Sequence, residues 1–556
     1  MENMEELTDT VDLFNSCLFS YRTFSSAIAT ATELVEWDVL LRIELARFEV
    51  WGRTLGFLDE KMGMELQDLK CLKVTGFAEI LQVEGALSLV HDILKSLLQA
   101  LDDFKNLARK YRLHPDSGRT EEPTQDLILA IKDDDKASLL AKLRTANDGL
   151  GKFLSIPEQK QAARSLPSRV LPKYHTPMQL DALIKSVGVN QDLIQTAKIK
   201  QLIFLPEDTP IRDFELSSAQ FTGLPDEVDF TADNPYSGSC TAVRYISPGG
   251  ASHTALIECA ESAPLERSRI PEAERRRRNK VVALLKKASR LPRHGDTVCR
   301  VPECLGWFTF RAMHDGTEIE ILGFASEAPS WVDPTIPPYS LRKIMEQGYW
   351  AASGRPPLGT RICLARAVVQ AVYHLQCGGW LHRSFGGHQI IFFYDRDSGN
   401  LRMDEPFLRG LPHSRLDGQP VGRDQEVHGK LRRDSETVVE TNVYKHPDLW
   451  STSPRHYRPS DDIYSLGVVL LEIGMWRRVG PDVTQREDVH LLKVARSTLP
   501  AAVGAIYTQV VVGCLEGMQG EDSGTADDGP SNKEGENGVE SQFLWKVLRP
   551  LENLRV

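Results

Sequence analysis

Residues 380–393 read Trp-Leu-His-Arg-Ser-Phe-Gly-Gly-His-Gln-Ile-Ile-Phe-Phe. A polar, glycine-containing turn from His382 to Gln389 lies between an apolar entry and an apolar run, Ile390–Phe393, that reads as a strand. Upstream, Leu364, Ala367, Val368, Ala371, Val372 and Leu375 share one face of a helix that leads into Trp380. Downstream come Tyr444-Lys445-His446-Pro447-Asp448 and then Asp462-Ile463-Tyr464-Ser465-Leu466-Gly467-Val468-Val469-Leu470-Leu471-Glu472-Ile473. The last run is apolar on nearly every side, the pattern of a helix buried in a core.

These three stretches, in this order, resemble a protein kinase. His382-Arg383-Ser384 stands where the catalytic loop has H-R-D, and Gln389 where it has its metal-binding Asn. Pro447 and Asp448 match the end of the activation segment, and Asp462 to Ile473, with Gly467, match the central helix of the large lobe. The resemblance implies that His382 packs under the loop and that Asp462 accepts hydrogen bonds from the backbone near His382 and Arg383. It also implies that most of the chemistry is missing. Ser384 is neutral at pH 7 and cannot replace the carboxylate that accepts the substrate proton. Gln389 carries an extra methylene, and the loop Lys position is Gly386. The metal-binding D-F-G is best matched by Gly410-Leu411-Pro412, with Gly410 at the Asp. Leu256-Ile257-Glu258-Cys259-Ala260 matches V-A-I-K, with Ala260 at the Lys. No G-x-G-x-x-G precedes it; Tyr236-Ser237-Gly238-Ser239 supplies a single glycine. A positioned base contributes roughly 10²–10⁴ in rate, and metal clamping several kcal/mol more. Together the losses predict a pseudokinase with no catalytic residues and no cofactor, residual metal-free ATP binding being the one nucleotide role left open. The alternative reading is an active serine/threonine kinase with atypical metal ligands. Arg383 has a second use in such a frame, as a phosphate contact for Ser414, Ser435, Thr437 or Thr441.

The chain has 556 residues, 41% hydrophobic and 26% charged, which predicts several soluble domains. A net charge of −11 argues against a nucleic-acid binder. Nine scattered cysteines without a C-x-x-C pair predict reduced thiols and a cytoplasmic protein, and no metal site. The basic run Arg275–Arg278, with Lys280, reads as a solvated helix face; nuclear import, anionic lipid and acidic partners are the other uses of such a run.

Residues 11–200 carry helical periodicity, and a helical bundle is expected over 1–200. Leu34, Trp37, Leu41, Leu45, Phe48 and Trp51 form one stripe, and further helices are expected over 83–112, 133–154 and 177–199. Prolines and mixed strand-like pieces predict a linker over 201–235. An α+β bilobal kinase-like domain is expected over 236–556, with a small lobe to about 328, a large lobe from about 329, and a disordered acidic insertion at 518–540.

The N-terminal region has its own resemblance. Leu13-Phe14-Asn15-Ser16-Cys17-Leu18, Leu45-Ala46-Arg47-Phe48-Glu49-Val50-Trp51-Gly52 and Leu143-Arg144-Thr145-Ala146-Asn147-Asp148-Gly149-Leu150 are similar to the fungal HeLo domain of prion-inhibition and propagation proteins. The fold class this implies is multidomain: an all-α bundle joined to the kinase-like half, an architecture similar to mixed-lineage kinase domain-like proteins. Such a resemblance implies signalling in non-self recognition or regulated cell death, with protein partners or self-association through the helical domain, peripheral membrane contact and recruitment to membranes on activation. The first residues, Met1–Thr10, depart from the apolar start suited to membrane insertion: they are acidic and polar.

Overall fold

The computed structural model describes residues 2–28, 34–58, 85–110, 131–186, 190–205, 209–227, 241–261, 272–291, 299–314, 316–346, 355–383, 385–411, 415–416, 443–450, 457–479, 489–517 and 538–555. The chain divides into two compact units, Met1–Ala197 and Lys198–Val556.

Among the described residues up to 201 the elements are helices: α1 (Glu2–Ile28), α2 (Val35–Thr54), α3 (Ala86–Lys110), α4 (Asp133–Gly151), α5 (Ile156–Val170), α6 (Pro177–Lys185) and α7 (Gln191–Gln201). The apolar stripe of α2 faces the core. Trp37 and Trp51, about four turns apart on it, donate their indole N–H groups to Lys136 O (3.3 Å) and Leu150 O (2.8 Å). These two bonds lay α2 parallel to α4. Phe14 of α1 stacks on Phe48 and Phe57, with ring centroids 4.6 and 5.2 Å apart. Gly52 permits this: a Cβ there would overlap the Phe14 ring. The expected helix over 177–199 is two helices instead. α6 ends at Lys185, and the Asn190 side chain caps α7 by accepting from Asp192 N and Leu193 N. α5 was not among the expected helices; its start is marked by a capping box between Ser155 and Glu158 with Pro157 in the first turn.

The second unit opens on an antiparallel sheet of β1 (Phe221–Thr222), β2 (Thr241–Ile246), β3 (Ser252–Glu261), β4 (Cys304–His314) and β5 (Thr317–Glu327), in the order β1-β2-β3-β5-β4. Helix α8 (Glu272–Ala288) connects β3 to β4 and packs on β4. Segment 209–227 corrects the expected linker: it supplies β1, and Leu216 N and Trp307 N exchange bonds with Trp307 O and Phe214 O. The basic run of α8 fastens this segment. Arg275 pairs with Asp213 and Glu215, and Arg276 donates to Thr209 O. Arg277 and Arg278 pair with Glu274, and Arg278 lies 4.9 Å over the Trp307 ring. In place of a solvated basic face, much of the run makes intramolecular contacts.

From residue 339 onward helices dominate, with short strands between them: β6 (Tyr339–Ser340), α9 (Leu341–Glu346), α10 (Leu358–Cys377), β7 (Trp380–Leu381), β8 (Ile390–Phe392), β9 (Phe407–Leu408), β10 (Arg415–Leu416), α11 (Pro459–Met475), α12 (Val489–Val503) and α13 (Ala505–Leu515). Every residue of α11 from Asp461 to Gly474 is buried, which is why its sequence is apolar all round. No helix among the described residues is long and apolar enough to cross a membrane. Gly467 lets α11 meet α13, since a Cβ there would come within 2.7 Å of Cys514 Cβ.

Candidate functional site

Helix α10 ends at Cys377, and the chain passes through β7 into the His382–Arg383 turn. Asp462, in the first turn of α11, holds this turn: its two carboxylate oxygens accept from His382 N (2.6 Å) and Arg383 N (2.9 Å). Tyr457 OH adds a third bond to Asp462 at 2.6 Å, and its ring lies 5.4 Å from the Arg383 guanidinium carbon. Burial pushes the Asp462 carboxyl up to about 6 against the pull of these donors. Arg383 has a φ of +64°, a left-handed conformation that a non-glycine residue adopts only when its surroundings hold it there.

His382 is fully enclosed. Its Nε2 lies 2.7 Å from Arg409 O, and because a carbonyl only accepts, Nε2 carries the proton. Desolvation drives the imidazole down to about 4, so it is neutral at physiological pH. On its far side, Gln389 O accepts from Arg409 N (2.9 Å), and the Gln389 side-chain oxygen from Arg409 Nε (3.3 Å).

Gly410 follows at φ +85°. A Cβ on it would lie 2.7 Å from Gln389 Cδ and Oε1 and 2.8 Å from His382 Cε1. Its N–H donates to Glu258 Oε1 of β3 at 2.9 Å. Burial raises the Glu258 carboxyl, opposed by the Arg409 charge and this N–H. Residues 258, 382, 389, 409 and 410 therefore form one interlocked cluster.

Of the residues singled out in the sequence, the structure gathers His382, Arg383, Gln389, Gly410 and Asp462. Ser384, Tyr236–Ser239, Ser414, Ser435, Thr437 and Thr441 lie outside the described residues, as does most of the 518–540 segment. Ala260 pairs with Leu322 in the sheet. The β3 side chain that reaches Gly410 is Glu258, two residues earlier. Residues two apart on a strand share a face, so the pattern alone leaves the position open. Pro447 and Asp448 lie apart in a short 3₁₀ turn where Asp448, exposed, meets His446. Gly467 serves the α11–α13 contact.

The sequence did not single out Glu258, Arg409 or Tyr457. A charged residue inside Leu256–Cys259, and another directly after Phe407-Leu408, were the available signals. Nor did it reveal the support under Gly386 and Gly387. Tyr444 OH lies 2.9 and 3.0 Å from the Glu472 oxygens, and burial raises that carboxyl to about 7. Among the described residues, no group of three His, Cys, Asp or Glu side chains is placed to hold a metal ion.

Residues 7–193 match the family model of the HeLo domain, described as prion-inhibition and propagation. The match covers nearly all of the first unit and supports reading it as a HeLo domain. No curated protein matches the chain.

Proposed function

We propose that this protein is a signalling or scaffold protein in which a HeLo domain is joined to a kinase-like domain without phosphotransfer chemistry. The HeLo match points to fungal heterokaryon incompatibility or cell-death signalling. On this reading the second unit receives a signal and the HeLo domain passes it to protein partners, to further copies of the chain or to a membrane surface.

The kinase-like part rests on order and placement: an antiparallel sheet with one helix between its third and fourth strands, then a mostly helical part with Asp462 bonded to the His382–Arg383 turn. The observation that carries the loss of chemistry is the packing at Gly410. In an active kinase a carboxylate at this position would hold magnesium; here the Gln389 amide and the His382 ring occupy the space beside the α-carbon. Glu258 brings a negative charge to the face from which a kinase presents its lysine to phosphate, and that charge repels a nucleotide.

The test is a thermal-shift titration of the full chain with ATP and magnesium beside a phosphotransfer assay. The expected result is no metal-dependent stabilisation and no label incorporated. Metal-dependent stabilisation together with label transfer would favour the active kinase with atypical ligands. Coupling to membranes is tested by adding the full chain to anionic liposomes. Dye release at micromolar protein supports a membrane role, and intact liposomes support a scaffold role.

A further inference from the structure

We infer that segment 405–410 is an internal latch: it fastens the sheet of the second unit to its helical part and holds shut the nucleotide cleft that the kinase-like reading puts between them. The inference rests on the kinase-like reading only where it concerns nucleotides; the latch itself is a matter of contacts.

The segment is bonded on two sides. On the sheet side, Arg300, four residues before β4, pairs with Glu405 at 2.8 Å. Arg300 N donates to Pro406 O (2.8 Å), and Leu408 N to Arg300 O (2.7 Å), a parallel bridge outside the main sheet. Further along, Gly410 N donates to Glu258 of β3. Between these polar ties Leu256 of β3 is buried in one cluster with Val332, Ile391, Phe393 and Phe407. On the helical side, Phe407 and Leu408 pair with Ile391 and Ile390 of β8. Arg409 N bonds Gln389 O, and His382 bonds Arg409 O. Residues 405–410 thus act as a strand shared by two layers.

Glu258 is the critical tie. A half-buried carboxylate away from bulk water needs donors or a counter-charge to stay ionised, and here both come from adjacent residues of the latch, Gly410 N–H and Arg409. Opening the cleft strips the carboxylate of both at once. Moving the sheet away from the latch therefore breaks a charge-assisted bond, two backbone bonds, an ion pair and an apolar cluster together.

The experiment is hydrogen exchange on the full chain, comparing wild type with Glu258→Gln, Glu258→Ala and Arg300→Ala. Losing a hydrogen bond to a charged group is expected to speed exchange over residues 407–411 on the order of ten-fold or more in Glu258→Ala and in Arg300→Ala. Glu258→Gln keeps an acceptor and stays closer to wild type. Exchange in the buried helix α11 of the same unit stays within two-fold of wild type in all three, which reports that the variants are folded. Exchange over 407–411 that stays within two-fold of wild type in both alanine variants overturns the latch. A parallel thermal-shift titration with ATP reads the other half. Stabilisation that appears in Glu258→Ala and is absent in wild type supports a cleft shut by the latch. Faster exchange with no nucleotide effect in any variant leaves the latch standing and overturns its role as a nucleotide barrier.

Discussion

Gly410 is a glycine for two separate reasons, its positive φ and the absence of room for a Cβ. Replacing it by aspartate therefore forces Gln389 and His382 aside. Gly410→Asp is expected to lower stability by roughly 1–3 kcal/mol in urea unfolding without creating phosphotransfer. His382 offers a second check at this scale. Its imidazole is held at about 4 in the folded chain, below its ordinary 6.5, so the folded state binds fewer protons than the unfolded one between those values. Its contribution is full above pH 6.5 and is lost as the pH falls through 4. The destabilisation caused by His382→Phe should therefore be largest at pH 7 and shrink by about 3 kcal/mol toward pH 4. A constant penalty across that range, or an imidazole that titrates near 6.5 by NMR, would contradict the enclosed neutral ring.

At the scale of elements, the helical unit is joined through α2. Its buried Glu44 is met by Arg47 Nη1 (3.0 Å) on the same helix and by Arg144 Nε (3.4 Å) and Asn147 Nδ2 (2.8 Å) from α4. Asn147 also donates to Glu44 O at 2.9 Å, tying side chain to backbone across the two helices. Asn147→Leu keeps much of the volume and removes these donors, and should cost about 1–3 kcal/mol in chemical denaturation. Arg144→Ala, at a more exposed partner, should cost less than about 1 kcal/mol. Equal effects would mean that the Glu44 contact is not what holds α4. The apolar steps of α2 announced a helix, and the Asn147 segment was noticeable as a motif. That Asn147 closes on Glu44, a hundred residues away, was not legible, because a polar pair leaves no periodic trace.

Across the whole molecule, the two units have separate apolar cores, one spanning Val11–Leu154 and others within residues 221–407. Calorimetry should resolve two transitions. Gly52→Ala, which sets a methyl against Phe14, should lower one of them by several degrees and leave the other in place. One merged transition shifted as a whole would show that the units unfold as one.

From sequence alone, the periodic and compositional features could be read: the helical stripe of residues 34–51, a helix within 83–112 and the apolar run of α11. Each is local, set by side-chain period. The tertiary structure decided what depends on distance. It drew segment 209–227 from a presumed linker onto the sheet, through arginines whose charges said nothing of their partners. It placed Glu258 against Gly410, because a strand's alternation fixes the face and not the position along it. It also showed that Gln389 and His382 fill the space beside Gly410, which only packing reveals.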